Sequence, residues 1–279
     1  MLIKYTQTSG LKGLGNLSRT RLAAVVRASK GPVSVKDVTK VLGIDGQAAA
    51  LQLSRWAASG WMARLRRGLY QPIPIEAATA TPVLDDPWVI ADRLFSPCYI
   101  GGWSAANYWD LTEQIFRTTV VITTKRPRRV RESIAGMDFL IRVIKQDQVF
   151  GIRPIWRGPI RIQVSDAART IVDMLESPAL AGGLQSLSDM FREYQKRKDA
   201  DINQLVNYAS RINNGAAVKR LGYFLERYAP KAQDAAEACK MLLTTGNTKL
   251  DPDQACPRLI TRWRLWVPEH LATLEPVDD

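Results

Sequence analysis

Residues 34–70 read SVKDVTKVLGIDGQAAALQLSRWAASGWMARLRRGLY. Ser34 followed three positions later by Asp37 is a variant of the capping box, which opens a helix. Val35, Val38, Val41 and Leu42 then recur at helical spacing and give that helix one apolar stripe. Gly43 stops it, and a short turn through Asp45 leads into a second helix that ends at Ser59-Gly60. The segment WMARLRRGLY alternates as two strands around Arg66-Arg67-Gly68. Two helices joined by a tight turn and followed by a basic ribbon are the outline of a winged helix-turn-helix. Upstream, Ser18 is placed to cap a helix running to about Ser29, with Leu22, Val25 and Val26 on one face and Gly31-Pro32 as its end.

At 100° per residue the second helix of the pair puts Ala49, Leu53, Trp56, Ala57 and Gly60 on one side, its core side. Ala48, Leu51, Arg55 and Ala58 point the other way, flanked by Gln47, Gln52 and Ser54. Small, amide and guanidinium side chains suit a major groove, where Gln pairs with adenine and Arg with guanine or a phosphate. Leu51 is the odd member, and its two readings, a thymine methyl contact or a place on a domain interface, stand level. Arg64, Arg66 and Arg67 form the wing, placed to grip phosphate or enter the minor groove. Lys36 and Lys40, one turn apart, line the first helix toward flanking phosphates.

The charge map agrees with that reading. The chain has 279 residues and a formal net charge of +12. Residues 1–80 hold 12 Lys and Arg against three acids, so +9 of the excess sits on less than a third of the chain. Local asymmetry of this kind is the mark of a polyanion-binding module, because each neutralised phosphate releases counterions. The length favours two domains: a winged module over 1–72, a Pro-, Ala- and Thr-rich linker over 73–87, and an α+β domain over 88–279. In that second part, a helix begins at Trp88, a Gly-Gly turn and a Ser104 cap precede a helix to about Leu111, and strands are expected at 118–124, 137–144 and 160–164. From Asp166 the pattern turns helical, with stripes through Leu184 to Tyr194, Leu205 to Ile212 and Val218 to Tyr228. RLITRWRLWV, 258–267, reads as a late strand returning to the sheet.

Several chemistries find little footing. No run of about 18 apolar residues exists, so no membrane partner is expected. The N-terminus lacks the apolar core of a secretory signal. Cys98, Cys239 and Cys256 are scattered, and read as free thiols of a reducing cytoplasm. The single histidine, His270, gives no triad, and neither Glu-x-Lys nor a phosphate-binding Gly-rich Lys loop occurs. Asp85-Asp86 and Asp251-x-Asp253 read as solvated turns, and Asp166, Arg169 and Asp173 as an intrahelical ion pair. No catalytic residue, metal site or cofactor is therefore expected. The rival readings are a nucleic-acid-processing or a ligand-sensing second domain. The basic turn Lys125, Arg126, Arg128, Arg129 and Arg131, stiffened by Pro127, has three uses open to it: extra phosphate contacts, contact with a partner protein or its nucleic acid, or a solvated hairpin. The helical part ending at Tyr228 could also serve as a homodimer surface, since many helix-turn-helix repressors bind two half-sites.

Taken in order, RRGLY, GGWSAANYWDLTEQ, TTVVITTKRPRR, SDAARTIVDML, VKRLGYFLE, KLDP and RWRLWV resemble the AbiEi antitoxins, from about Leu17 to Val267. These are the antitoxin halves of AbiE-type toxin–antitoxin systems of bacterial phage defence. The resemblance implies a winged helix that binds inverted repeats in double-stranded DNA at its own promoter and represses its operon. It further implies a C-terminal domain that counters a nucleotidyltransferase toxin, directly or indirectly. It supplies no catalytic site.

Overall fold

The computed structural model describes residues 13–29, 31–74 and 86–272. The fold is α+β. It begins with α1 (Asn16–Ser29), β1 (Val33–Ser34), α2 (Val35–Leu42) and α3 (Gly46–Ala58), then the hairpin β2 (Met62–Arg66) and β3 (Leu69–Pro72). β3 is the middle of a three-stranded sheet, antiparallel to both β1 and β2. After α4 (Pro87–Phe95) come β4 (Cys98–Ile100), α5 (Gly102–Tyr108), β5 (Thr118–Thr123), β6 (Arg131–Ile134), β7 (Met137–Val143), β8 (Ile152–Arg157) and β9 (Ile160–Ser165). Helices α6 (Ala167–Glu176), α7 (Leu184–Lys196), α8 (Ile202–Ile212), α9 (Gly215–Tyr228) and α10 (Gln233–Met241) follow, with β10 (Thr248–Lys249), β11 (Arg258–Ile260) and β12 (Leu265–Val267) at the end.

Contacts divide the described residues into two units. One holds those up to Leu94 together with Glu132–Asp138 and Trp156–Ile162. The other holds Phe95–Arg131, Phe139–Ile155 and the described residues from Gln163 onward. Most of the linker read at 73–87, residues 75–85, lies outside the described residues, as does Asp85 of the acidic pair. α4 groups with the first unit: Arg93 sits 3.8 Å from Asp37, and its guanidinium donates to the Ser29 carbonyl. Arg157 stacks 4.3 Å from the Trp88 ring and lies 3.3 Å from Asp86, which ties one hairpin tip to the start of α4 in the same unit.

The core of the first unit is Val25, Val33, Val38, Ala49, Leu53, Trp56, Met62 and Tyr70, all buried. Ser18 is not a cap. α1 starts two residues earlier, and the Ser18 hydroxyl instead accepts the Trp56 indole N–H at 3.0 Å. Ser104 likewise lies inside α5, where its Oγ accepts from the Val120 backbone N–H at 3.0 Å.

The six-stranded sheet runs β6-β7-β5-β4-β9-β8, with most of β6 and the hairpin ends of β7, β8 and β9 counted in the first unit. β4 pairs antiparallel with β5 and parallel with β9, through Ile100 opposite Val164. β8 carries Pro154 and lies at the sheet edge, the position where a residue without an N–H costs no ladder bond. RLITRWRLWV does not return to this sheet. It breaks at the turn Thr261–Trp263 into β11 and β12, which form a separate three-stranded sheet with β10. Trp263 in that turn is fully buried, so the interior gains a large ring where a continuous strand would have placed it on a sheet face.

Candidate nucleic-acid interface

Each helix of the pair is fixed at its ends by its own sequence. The Ser34 backbone N–H donates to Asp37 Oδ2 at 2.8 Å, and Asp37 N–H to Ser34 Oγ at 3.3 Å, the reciprocal capping box. Gly43 ends α2 in the left-handed region at φ 65°, which a Cβ would penalise, and its N–H donates to the Thr39 carbonyl at 3.0 Å. Asp45 then caps α3, accepting from Ala48 N–H at 2.8 Å. The turn between the helices is therefore set by two residue types that suit no helix interior. Gly68, at φ 81°, makes the tip of the β2–β3 hairpin, and its carbonyl accepts the Val35 N–H at 3.3 Å, which joins the wing to the start of α2.

Trp56, Leu53 and Ala49 face the core, as the helical period requires. On the outward side Gln47, Leu51, Ser54 and Arg55 are exposed. Ala48 and Gln52, read as outward from the sequence, are half-buried. The exposed face is therefore centred on Leu51, turned toward Gln47 and Ser54 and away from Gln52. Lys36 and Lys40 are exposed on α2, and Arg64, Arg66 and Arg67 on the hairpin. Leu65 and Leu69 between them are buried and anchor the strands. Arg66 Nη1 lies 3.9 Å from Glu132 Oε2, at the hairpin tip that belongs to the same unit. At that distance and exposure such a pair is worth less than about 1 kcal/mol.

The basic turn belongs to the other unit. Lys125, Arg126, Arg128, Arg129 and Arg131 are all exposed, and the Lys125 ammonium donates to the Ser96 carbonyl. The chemistry-bearing residues from Asp166 onward sit in the same unit, in two different settings. Asp166 caps α6, accepting from Arg169 N–H at 2.7 Å and from the Tyr208 hydroxyl at 3.0 Å. Arg169 pairs with Asp173 at 2.9 Å, and Tyr99 on β4 donates to the other Asp173 oxygen at 3.0 Å while accepting from Arg169 at 3.2 Å. The guanidinium lies 4.1 Å from the Phe150 ring. Burial pushes Asp173 up to about 6 in spite of the Arg169 charge, and pushes the Tyr99 hydroxyl well above its usual range. Tyr99, Arg169 and Asp173 are buried and fasten α6 to β4; Tyr99 and Phe150 had no local signal in the sequence. Asp251 is buried too, with Oδ1 accepting from Asp253 N–H and Oδ2 from Gln254, so this acidic pair makes a turn. Cys98, Cys239 and Cys256 form no disulfide, and the Cys256 thiol donates to the Asp251 carbonyl at 3.4 Å. Among the described residues no helix is long and apolar enough to cross a membrane.

Two helices with a tight turn, an outward face of polar and small side chains around Leu51, and a basic hairpin define a helix-turn-helix module of the winged kind. Residues 21–73, which span this module, match the family described as transcriptional regulator, AbiEi antitoxin. The match ties this part of the chain to antitoxin-type transcriptional regulators. No curated protein matches the chain.

Proposed function

We propose that the chain is an autorepressing antitoxin. The exposed face of α3 enters the major groove of inverted repeats at its own promoter, and Arg64, Arg66 and Arg67 hold the flanking phosphates with Lys36 and Lys40. The second unit neutralises a nucleotidyltransferase-type toxin, directly or by opposing its action. The protein acts in the cytoplasm, in defence against phage, as a binding protein and not as an enzyme, with no cofactor, and two copies occupy the two half-sites. The observation that carries this reading is the coincidence of the family match at 21–73 with a capped helix pair whose outward face and hairpin are polar and basic.

Protection of the promoter DNA by the purified chain, and repression of a reporter placed behind it, test the regulator half. Co-expression with a nucleotidyltransferase toxin encoded beside it tests the antitoxin half. The full chain restores growth on this reading, and continued arrest removes the antitoxin role while leaving the repressor. The full chain is the appropriate form because α4 and two hairpin tips belong to the N-terminal unit.

A second reading, a regulator whose second unit senses a small ligand, draws on a cleft of about 550 Å³ between α8 and α10 lined by Asn203, Val206, Asn207, Arg211 and Leu242. Clefts of that size accommodate small molecules. Ligand-dependent loss of promoter binding would favour it.

A further inference from the structure

Leu51 lies at the middle of the outward face of α3 with 52% of its surface exposed, and it is absent from the hydrophobic core of its unit. Its helical neighbours on that face are Gln47 one turn before, Ser54 and Arg55 one turn after, and Ala58 two turns after, all exposed. Ala50, also exposed, and Ala58 keep the rest of the surface low, so the isobutyl group stands out as an apolar knob among amide, hydroxyl and guanidinium groups. Folding gains nothing from the exposed half, since the apolar surface of a leucine is stabilising only when it leaves water. The knob therefore needs a partner that is apolar at one point and polar or anionic around it.

The charge of the surroundings selects that partner. Lys36, Lys40, Arg64, Arg66 and Arg67 are exposed in the same unit, and the carboxylates of Asp37 and Asp45 are engaged in capping α2 and α3. A second copy of this face would bring like charges together. A duplex brings phosphates to the cations, and its major-groove edges carry one apolar group, the thymine C5-methyl.

Resting on the DNA-binding reading above, we infer that Leu51 is a specificity-determining residue that packs against thymine methyl groups, so that the DNA selected by this chain carries an A·T pair at the centre of each α3 footprint. Gln47 and Arg55, one turn to either side, then address the neighbouring base pairs or phosphates. The apolar contact sets the base preference, and the surrounding cations set the affinity common to all sequences.

The test uses the full chain and the promoter fragment of its own gene, prepared in two forms, one with thymine and one with uracil throughout. Uracil keeps every pairing and groove hydrogen-bonding group and lacks only the methyl. Binding is measured at one fixed salt concentration. The wild type binds the uracil form about threefold to tenfold more weakly, as burial of one or two methyl groups implies. Leu51→Ala binds the thymine form as weakly as the wild type binds the uracil form, and loses nothing further on uracil DNA. Leu51→Met, which restores an apolar side chain of similar volume, recovers the discrimination. Equal wild-type affinity for the two forms overturns the inference while leaving DNA binding intact, and so does Leu51→Ala keeping the wild-type ratio. Unchanged DNA binding by Leu51→Ala with a shift to smaller assemblies in sedimentation assigns the face to a second copy instead. Failure of the wild type to bind either form overturns both the inference and the reading beneath it.

Discussion

The Trp56 indole N–H on α3 donates to the Ser18 hydroxyl on α1 at 3.0 Å. Trp56 is 1% exposed and Ser18 half-buried, so no water can readily replace the acceptor. The angle at which α3 is presented thus depends on a side chain 38 positions earlier. Ser18→Ala leaves a buried donor without a partner and destabilises the N-terminal unit by about 1–3 kcal/mol. Urea unfolding followed by circular dichroism measures this. A midpoint unchanged within error would mean that the bond contributes nothing. Promoter affinity well below the melting temperature changes far less than stability, because Ser18 lies off the outward face.

Gly222 on α9 packs directly against the six-membered ring of Trp263, and a Cβ there meets three ring atoms closer than any side chain tolerates. Trp263 is fully buried, and its indole N–H is held by Glu226, so the ring has no free direction of retreat. An alanine ordinarily stabilises a helix interior by about 1 kcal/mol over glycine. Here overpacking outweighs that gain, and Gly222→Ala lowers stability by about 1–3 kcal/mol. Thermal melts of the two forms decide the sign; a more stable variant would contradict the packing described.

Asp173 gives a pH dependence whose sign follows from burial. Its folded pKa, raised to about 6 from 3.8, means that the folded state holds the proton more tightly than the unfolded chain. The contribution of this carboxyl is fully present below about 3.8 and is lost as pH rises through about 6. Denaturation at pH 4.5 and 7.5 isolates it by difference: relative to Asp173→Asn, the wild type gains stability as pH falls. An opposite slope would show that the Arg169 charge dominates over burial.

Much of the N-terminal unit was legible because its signals are local. The capping box at Ser34 and Asp37, Gly43, the Asp45 cap and the core positions Ala49, Leu53 and Trp56 all follow from residue type and helical period. The same period placed Ala48 and Gln52 outward, whereas they are half-buried, since the axis of burial is set by neighbours that a wheel does not contain. Ser18 and Ser104 read as caps because a hydroxyl before an apolar run has that meaning locally; both bond across to other elements instead. β4 has three residues and no period to read, although it is an interior strand that pairs with both β5 and β9. Tyr99 and Asp173 are 74 positions apart, and only the fold brings them together. For the same reason the break at Thr261–Trp263 was invisible: it depends on a buried ring finding Gly222.

If the exposed cations of the first unit hold DNA phosphates, binding weakens steeply as salt rises. With the promoter fragment and the full chain, log K falls with log salt by about 0.9 for each phosphate neutralised. Replacing Arg64, Arg66 and Arg67 together by alanine should weaken binding and flatten that slope by about two to three units, with the folded content unchanged. A triple variant that binds as tightly as the wild type, with the same slope, would show that the wing arginines hold no phosphate.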